Sequence, residues 1–123
     1  MDMQKVVGDI KLKYPGKKIA ITDEGEYQEV VCEIEPSSVN SERSTAVAVV
    51  GKSKPHKHLK TTEIYELISG ELTVEVDGVE KVLAKAGDRL KINPGQSHSA
   101  SGAEAWFYTY STPGWTPEDH IVI

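Results

Sequence analysis

A chain of 123 residues, 38% hydrophobic and 27% charged, has the size and balance of one globular domain. Its net charge of −5 comes with no cluster of Lys and Arg, which argues against a nucleic-acid partner. A single cysteine, Cys32, excludes an internal disulfide; with no long apolar run and no signal-like start, a soluble cytoplasmic protein is expected.

The predicted elements follow in chain order. Met3, Val6, Val7 and Ile10 recur at helical spacing, so residues 2 to 13 read as a short amphipathic helix ending before Pro15-Gly16, or alternatively as a first strand. From there the dominant period is two, which means strands. Lys18 to Ile21 is a short apolar run. Tyr27 to Ile34 alternates and stops at Glu35-Pro36-Ser37-Ser38. Val30, Cys32 and Ile34 share an apolar face there, which makes Cys32 a buried, inert thiol. Ser37 to Ser44 is a polar loop, and Thr45 to Val50 is apolar and β-branched. Ile64 to Ile68 and Leu72 to Val76 are further strands. Asp77-Gly78 is a hairpin turn, and Val79 to Leu83 returns from it. Arg89 to Ile92 and Trp106 to Tyr110 complete the set. Many short strands between Gly and Pro turns imply an antiparallel sandwich or barrel. Nothing splits the chain, so one domain over residues 1–123 is expected, with an N-terminal extension at 1–17.

Two short blocks carry the chemistry. The first runs Pro55-His56-Lys57-His58, then four residues, then Glu63; the second is Pro94-Gly95-Gln96-Ser97-His98. They hold three of the chain's four histidines. Histidines two apart share one face of a strand, whereas on a helix they diverge by about 200°. Glu63 lies an odd number of residues beyond His58, so the Leu59 to Thr62 segment must bend before Glu63 begins a new strand. His98 arrives at a strand end after the Pro94-Gly95 turn. Imidazoles and a carboxylate suit a divalent first-row metal. Three neutral imidazoles and one carboxylate would leave such an ion with a net charge of about +1, and an octahedral ion would keep two open positions.

These blocks resemble the two motifs of the cupin superfamily. The first is glycine, His-x-His, a spacer, Glu, six residues, Gly, matched by Gly51, His56, His58, Glu63 and Gly70. The second is glycine, five residues, Pro-x-Gly, two residues, His, matched by Gly87, Pro94-Gly95 and His98. The resemblance covers residues 51–98. It departs from the pattern where Gly51 stands one residue closer to His56, where Pro94 adjoins Gly95, and where Gly102 occupies a position commonly Asn. The resemblance implies an all-β jelly-roll barrel (a double-stranded β-helix), usually a homodimer, with one metal inside. It implies His56, His58, Glu63 and His98 as ligands of one divalent ion, whether Fe, Mn, Ni, Co, Cu or Zn.

Tyr65 shares parity with Glu63 and should point inward, which makes it the candidate catalytic proton donor; parity turns Glu66 outward. Trp106, Tyr108 and Tyr110 share one face of their strand and Phe107 and Thr109 the other, and either set could line the interior. Gln96 and Ser97 read as support for the metal turn or as plain turn residues. Pro113-Gly114-Trp115-Thr116-Pro117 reads as a rigid aromatic segment that closes the barrel mouth or a dimer contact, with packing favoured, and His120 beside Asp119 as exposed tail. The functional expectation is a metal-dependent cupin acting on a small molecule, by dioxygenase-, isomerase-, decarboxylase- or lyase-type chemistry. The alternative is a non-catalytic metal- or ligand-binding sensor.

Overall fold

A computed structural model describes residues 1–123. Helix α1 spans Met3–Lys13, and the expected helix rather than a first strand is formed. Asp2 caps it by accepting from the Lys5 N–H at 3.1 Å, and Lys11 and Lys13 sit in its last turn, where the helix dipole favours cations. The strands are β1 Lys18–Glu24, β2 Tyr27–Glu35, β3 Ser44–Lys52, β4 His56–Lys57 and β5 Thr62–Ser69. They continue as β6 Leu72–Val76, β7 Val79–Leu83, β8 Arg89–Ile92, β9 His98–Thr112 and β10 Ile121–Val122. The expected all-β barrel with one short N-terminal helix is therefore present. No helix is long and apolar enough to cross a membrane.

One ten-stranded antiparallel sheet curls on itself, and β9 is its hub. Its later half pairs with β3 along one edge and β5 along the other, Phe107 lying opposite both Ala48 and Leu67. Its first residues pair with β6, and His98 pairs with His56 of β4. Sequence periodicity located only Trp106 to Tyr110 of this strand. The Ser99-Ala100-Ser101-Gly102 stretch has no strand-like apolar alternation, yet it is held by partners on both sides. Gly102 fits here for a steric reason: a Cβ at that position would lie 2.7 Å from the Glu71 carbonyl oxygen. Strand β1 also runs on through Thr22, Asp23 and Glu24 because each pairs with β2.

The two faces of the sheet bury different things. Inside, Leu67, Leu72, Val74, Ile92 and Phe107 fill one end of the barrel. Outside, α1 lays Val6 and Ile10 on Val30, Cys32, Val47, Val49 and Trp106. Cys32 is buried here, as its alternation implied, and burial raises its thiol pKa. The choice left open for β9 is thereby decided: Phe107 and Thr109 face the interior, and Trp106 and Tyr108 face the helix side. Replacing Ile10, which is fully buried, by Ala should lower stability by about 2–4 kcal/mol in urea denaturation, through the cavity left under the helix.

Candidate metal centre

Strand ends deliver the four motif residues to one buried point. His56 lies on the short β4, His58 just past it, Glu63 near the start of β5 and His98 at the start of β9. The bend expected between His58 and Glu63 is present at Leu59-Lys60. The Gly95 N–H donates to the His58 carbonyl at 2.6 Å and ties the two motif blocks together, with Gly95 at φ 84°, where glycine is favoured. All four residues are buried, and one donor atom from each lies within 4.8 Å of the others. Two metal–nitrogen bonds of about 2.1 Å can span at most ~4.2 Å, so a small inward adjustment closes this set around an ion.

The tautomers fit that use. His56 Nδ1 lies 2.8 Å from the Lys54 carbonyl, His58 Nδ1 2.9 Å from that of Asp119, and His98 Nδ1 3.0 Å from that of Gln96. A carbonyl oxygen only accepts, so each Nδ1 carries the proton, and in the neutral ring each Nε2 presents a lone pair. Glu63 Oε1 lies 3.0 Å from His58 Nε2 and 3.2 Å from His98 Nε2. None of these three buried atoms makes a well-aligned hydrogen bond. Buried polar atoms without partners are costly, and a cation among them would satisfy all three at once.

With no ion between them, the electrostatics favour an added proton on His58 against Glu63, the place a cation would take. Burial pushes the His56 imidazole down to about 3, with the His98 charge adding to the effect, so His56 stays neutral. Burial opposes the charge of Glu63, but the His58 and His98 imidazoles outweigh it and hold the carboxyl well below its usual range. Burial also opposes the charge of His58, and the Glu63 carboxylate against it outweighs burial and raises its pKa. Donors of this kind and number suit a divalent transition metal.

The C-terminal segment corrects one expectation. Asp119 and His120 are not exposed tail. The buried Asp119 carboxylate accepts from the backbone N–H groups of Leu59, Lys60 and Thr61 at 2.9–3.2 Å, and so clamps the bend that separates His58 from Glu63. Its own carbonyl orients His58. β10 then pairs with β4, Val122 opposite His56. The His120 ring stacks on that of His56 at 4.3 Å and 14°. Trp115 Nε1 donates to His120 Nδ1 at 3.2 Å. An indole N–H only donates, so the His120 proton sits on Nε2, the opposite tautomer to the three motif histidines. His120 therefore presents a donor to the cavity, not a lone pair. Asp77 likewise does more than turn a hairpin: its carboxylate accepts from Ser97 N–H at 3.0 Å and Gln96 Nε2 at 3.3 Å, fixing the turn before His98. Gln96 thus supports the site through its carbonyl.

A cavity of about 290 Å³ opens above the cluster. His56, His58, Glu63 and Tyr65 stand at its base, and Trp115 and His120 at its C-terminal side. Tyr65 is buried and faces inward, as parity required, while Glu66 turns outward to pair with Arg89 at 2.6 Å. One cavity-facing carboxyl escaped the sequence reading. Glu29 of β2 faces the cavity, and no hydrogen bond contributes to its ionisation. Burial, then the Glu63 charge, pushes its carboxyl up to about 7, against a smaller opposing effect of His98.

No protein-family model matches the sequence. An oxidoreductase of Arthrobotrys oligospora is 36% identical over 66 residues, which are 53% of this chain and 26% of that protein, so the chain spans about a quarter of its length. Among solved structures, Pac13, described as a unique nucleoside dehydratase and studied from Streptomyces, matches with TM-score 0.71 and 10% identity over 85% of this chain and 84% of its own. Oxalate decarboxylase from Bacillus subtilis matches with TM-score 0.72 and 14% identity, over 89% of this chain and 31% of its own. EutQ of Clostridium difficile matches with TM-score 0.64 and 17% identity, over 78% of this chain and 80% of its own.

Asp119 gives a direct test. Burial opposes its charge, but the three N–H groups outweigh this and lower its pKa. A depressed folded-state pKa means stabilisation that is complete above the unfolded value, about pH 4, and lost as pH falls through the folded value. Asp119→Asn should therefore be less stable than wild type at neutral pH, by about 1–3 kcal/mol, with the gap closing in acid below about pH 4. Urea titrations across pH read this out.

Proposed function

We propose that this chain, which has the cupin fold, is a metal-dependent enzyme that moves protons on a small molecule held above His56, His58, Glu63 and His98. The observation that carries the reading is the locked tautomer set. Three backbone carbonyls hold three imidazoles with Nε2 lone pairs converging beside a buried carboxylate. A divalent ion bound there supplies Lewis acidity, polarising a ligand carbonyl or hydroxyl. The identity of the ion is set by availability as much as by these donors.

The remaining chemistry belongs to the protein. Glu29, poised near neutrality in the cavity wall, is the group we assign to proton transfer. A carboxyl of that pKa can accept a proton from a ligand C–H or O–H and return it within one cycle, as an isomerase or lyase requires. Tyr65 takes a different part. Burial, then the charges of Glu63 and Glu29, raise its hydroxyl well above the usual tyrosine value, so it keeps its proton and serves as a hydrogen-bond donor. A sensor that only binds its ligand has no use for a carboxyl tuned in this way, and Glu29 favours catalysis. The dehydratase and decarboxylase among the structural relatives are enzymes built on this fold, which supports the same reading.

Purified protein should carry about one equivalent of a divalent transition metal by elemental analysis, and His98→Ala should lose most of it while remaining folded. Full metal retention in a folded His98→Ala protein would sink the metal-centre reading. On a substrate found by screening, Glu29→Gln should lower kcat by about 10²–10⁴-fold with metal content unchanged, whereas Tyr65→Phe should cost less. Equal turnover in Glu29→Gln would remove Glu29 from the mechanism.

A further inference from the structure

We propose that the cavity selects an uncharged, hydroxyl-rich ligand of monosaccharide size over carboxylate or phosphate anions. This deepens the reading of the site as a metal centre and rests on it for the position of the ligand, but not for the selectivity.

The argument begins with the wall. Glu29, Glu33 and Glu35 of β2 line the same cavity as Glu63, with Val31 between the first two. The only Lys or Arg lining it is Lys18, which lies opposite Glu33 in the β1–β2 register. A carboxylate accepts hydrogen bonds and repels negative charge whenever it is ionised. Such a wall is matched by a ligand that brings donors without negative charge, and it repels the charged group of an anion. Thr22, Thr45 and Thr109 also line the cavity and offer groups that both donate and accept. Trp115 and His120 supply aromatic surface on the C-terminal side, against which the C–H face of a ring can rest. The cavity, about 290 Å³, is at the small end of ligand sites.

The acidic wall does not stand alone. His58 and Glu63, 2% and 5% exposed, line the same cavity, and their unpartnered Nε2 and Oε1 lie 3.0 Å apart beneath it. An ion held by these atoms would offer an electrophile at the cavity base, and the acceptors higher on the wall call for donors. A molecule with one carbonyl or hydroxyl at the base and further hydroxyls along its length meets both demands. A dianion is disfavoured by the wall carboxylates.

Matched five-carbon probes test this: D-xylose and xylitol as neutral ligands, and D-xylonate as the anion of the same length. Calorimetry on Co²⁺-loaded and metal-free protein would give each Kd. Wild-type protein should bind the better neutral probe at least about tenfold more tightly than D-xylonate. Glu29→Gln/Glu33→Gln should shrink that ratio to about threefold or less, mainly by admitting the anion. Glu33→Gln alone, at a partly exposed position, gives the same direction of change should the double variant misfold. Equal or tighter binding of D-xylonate by wild type overturns the proposal, as does the absence of binding by both neutral probes. Cobalt content, measured on the same samples, separates the two readings. Protein that takes up no cobalt yet prefers the neutral probes defeats the metal centre and not the selectivity. Cobalt-loaded protein that prefers the anion defeats the selectivity alone.

Discussion

The constraint on which the site depends is the engagement of three imidazole Nδ1–H groups by three backbone carbonyls. A neutral histidine has one donor nitrogen and one acceptor nitrogen, so fixing the donor fixes where the lone pair points. Two of the carbonyls, from Lys54 and Gln96, lie two residues before the histidine they orient. The third, from Asp119, comes from the far end of the chain. With all three engaged, His58 and His98 each bring an acceptor atom to within 3.0–3.2 Å of Glu63 Oε1 in a buried place. Without a cation or added protons such an arrangement is repulsive as well as desolvated. The fold concentrates this cost at one point, and a bound ion converts it into affinity.

Holding that point requires parts distant in sequence. β9 is paired along both edges, and it fixes His98 against His56 through the same strand that carries Phe107 into the core. Asp119 spans the remaining gap. Its carboxylate satisfies three successive N–H groups at the bend while its carbonyl orients the histidine just before that bend. One residue thus fixes both the ring angle of His58 and the backbone path to Glu63. Support from outside the ligand set is a general need of metal sites, because a ligand free to turn binds weakly.

The pairing of His56 with His58, the bend before Glu63 and strand parity were legible in the sequence because they are local. His56, His58 and Glu63 announce themselves by a two-residue spacing and an odd offset across a bend, and Tyr65 inherits the parity of Glu63. The role of Asp119 was not legible. Its partners lie about 60 residues away, and nothing near it in sequence marks a contact with the Leu59-Lys60-Thr61 bend. His120 was missed for the same reason, since a histidine without a motif near a chain end looks like solvent-exposed tail until β10 is seen paired with β4. The C-terminal strand is only two residues long, too short for periodicity to register.

Glu29 was missed for a more instructive reason. In β2 the apolar face, Val30 and Cys32, reads by habit as the inward face, and Glu29, Val31 and Glu33 as the face toward solvent. In this barrel the assignment is reversed, because α1 covers the outside of β2 and β3. The apolar face points out to the helix and the polar face points in to the cavity. The sequence did contain the warning. An amphipathic helix with Val6 and Ile10 on one side needs an apolar surface to cover, and a strand's apolar face can meet that need from outside the barrel as well as from within. Once the helix claims the outer face, Glu29 and Glu33 of the opposite face turn to the cavity. The acidity of the wall, the elevated pKa of Glu29 and the placement of Trp106 on the outside are then three consequences of one packing decision. The N-terminal extension, which contributes no ligand, determines by that decision which chemistry the interior can offer.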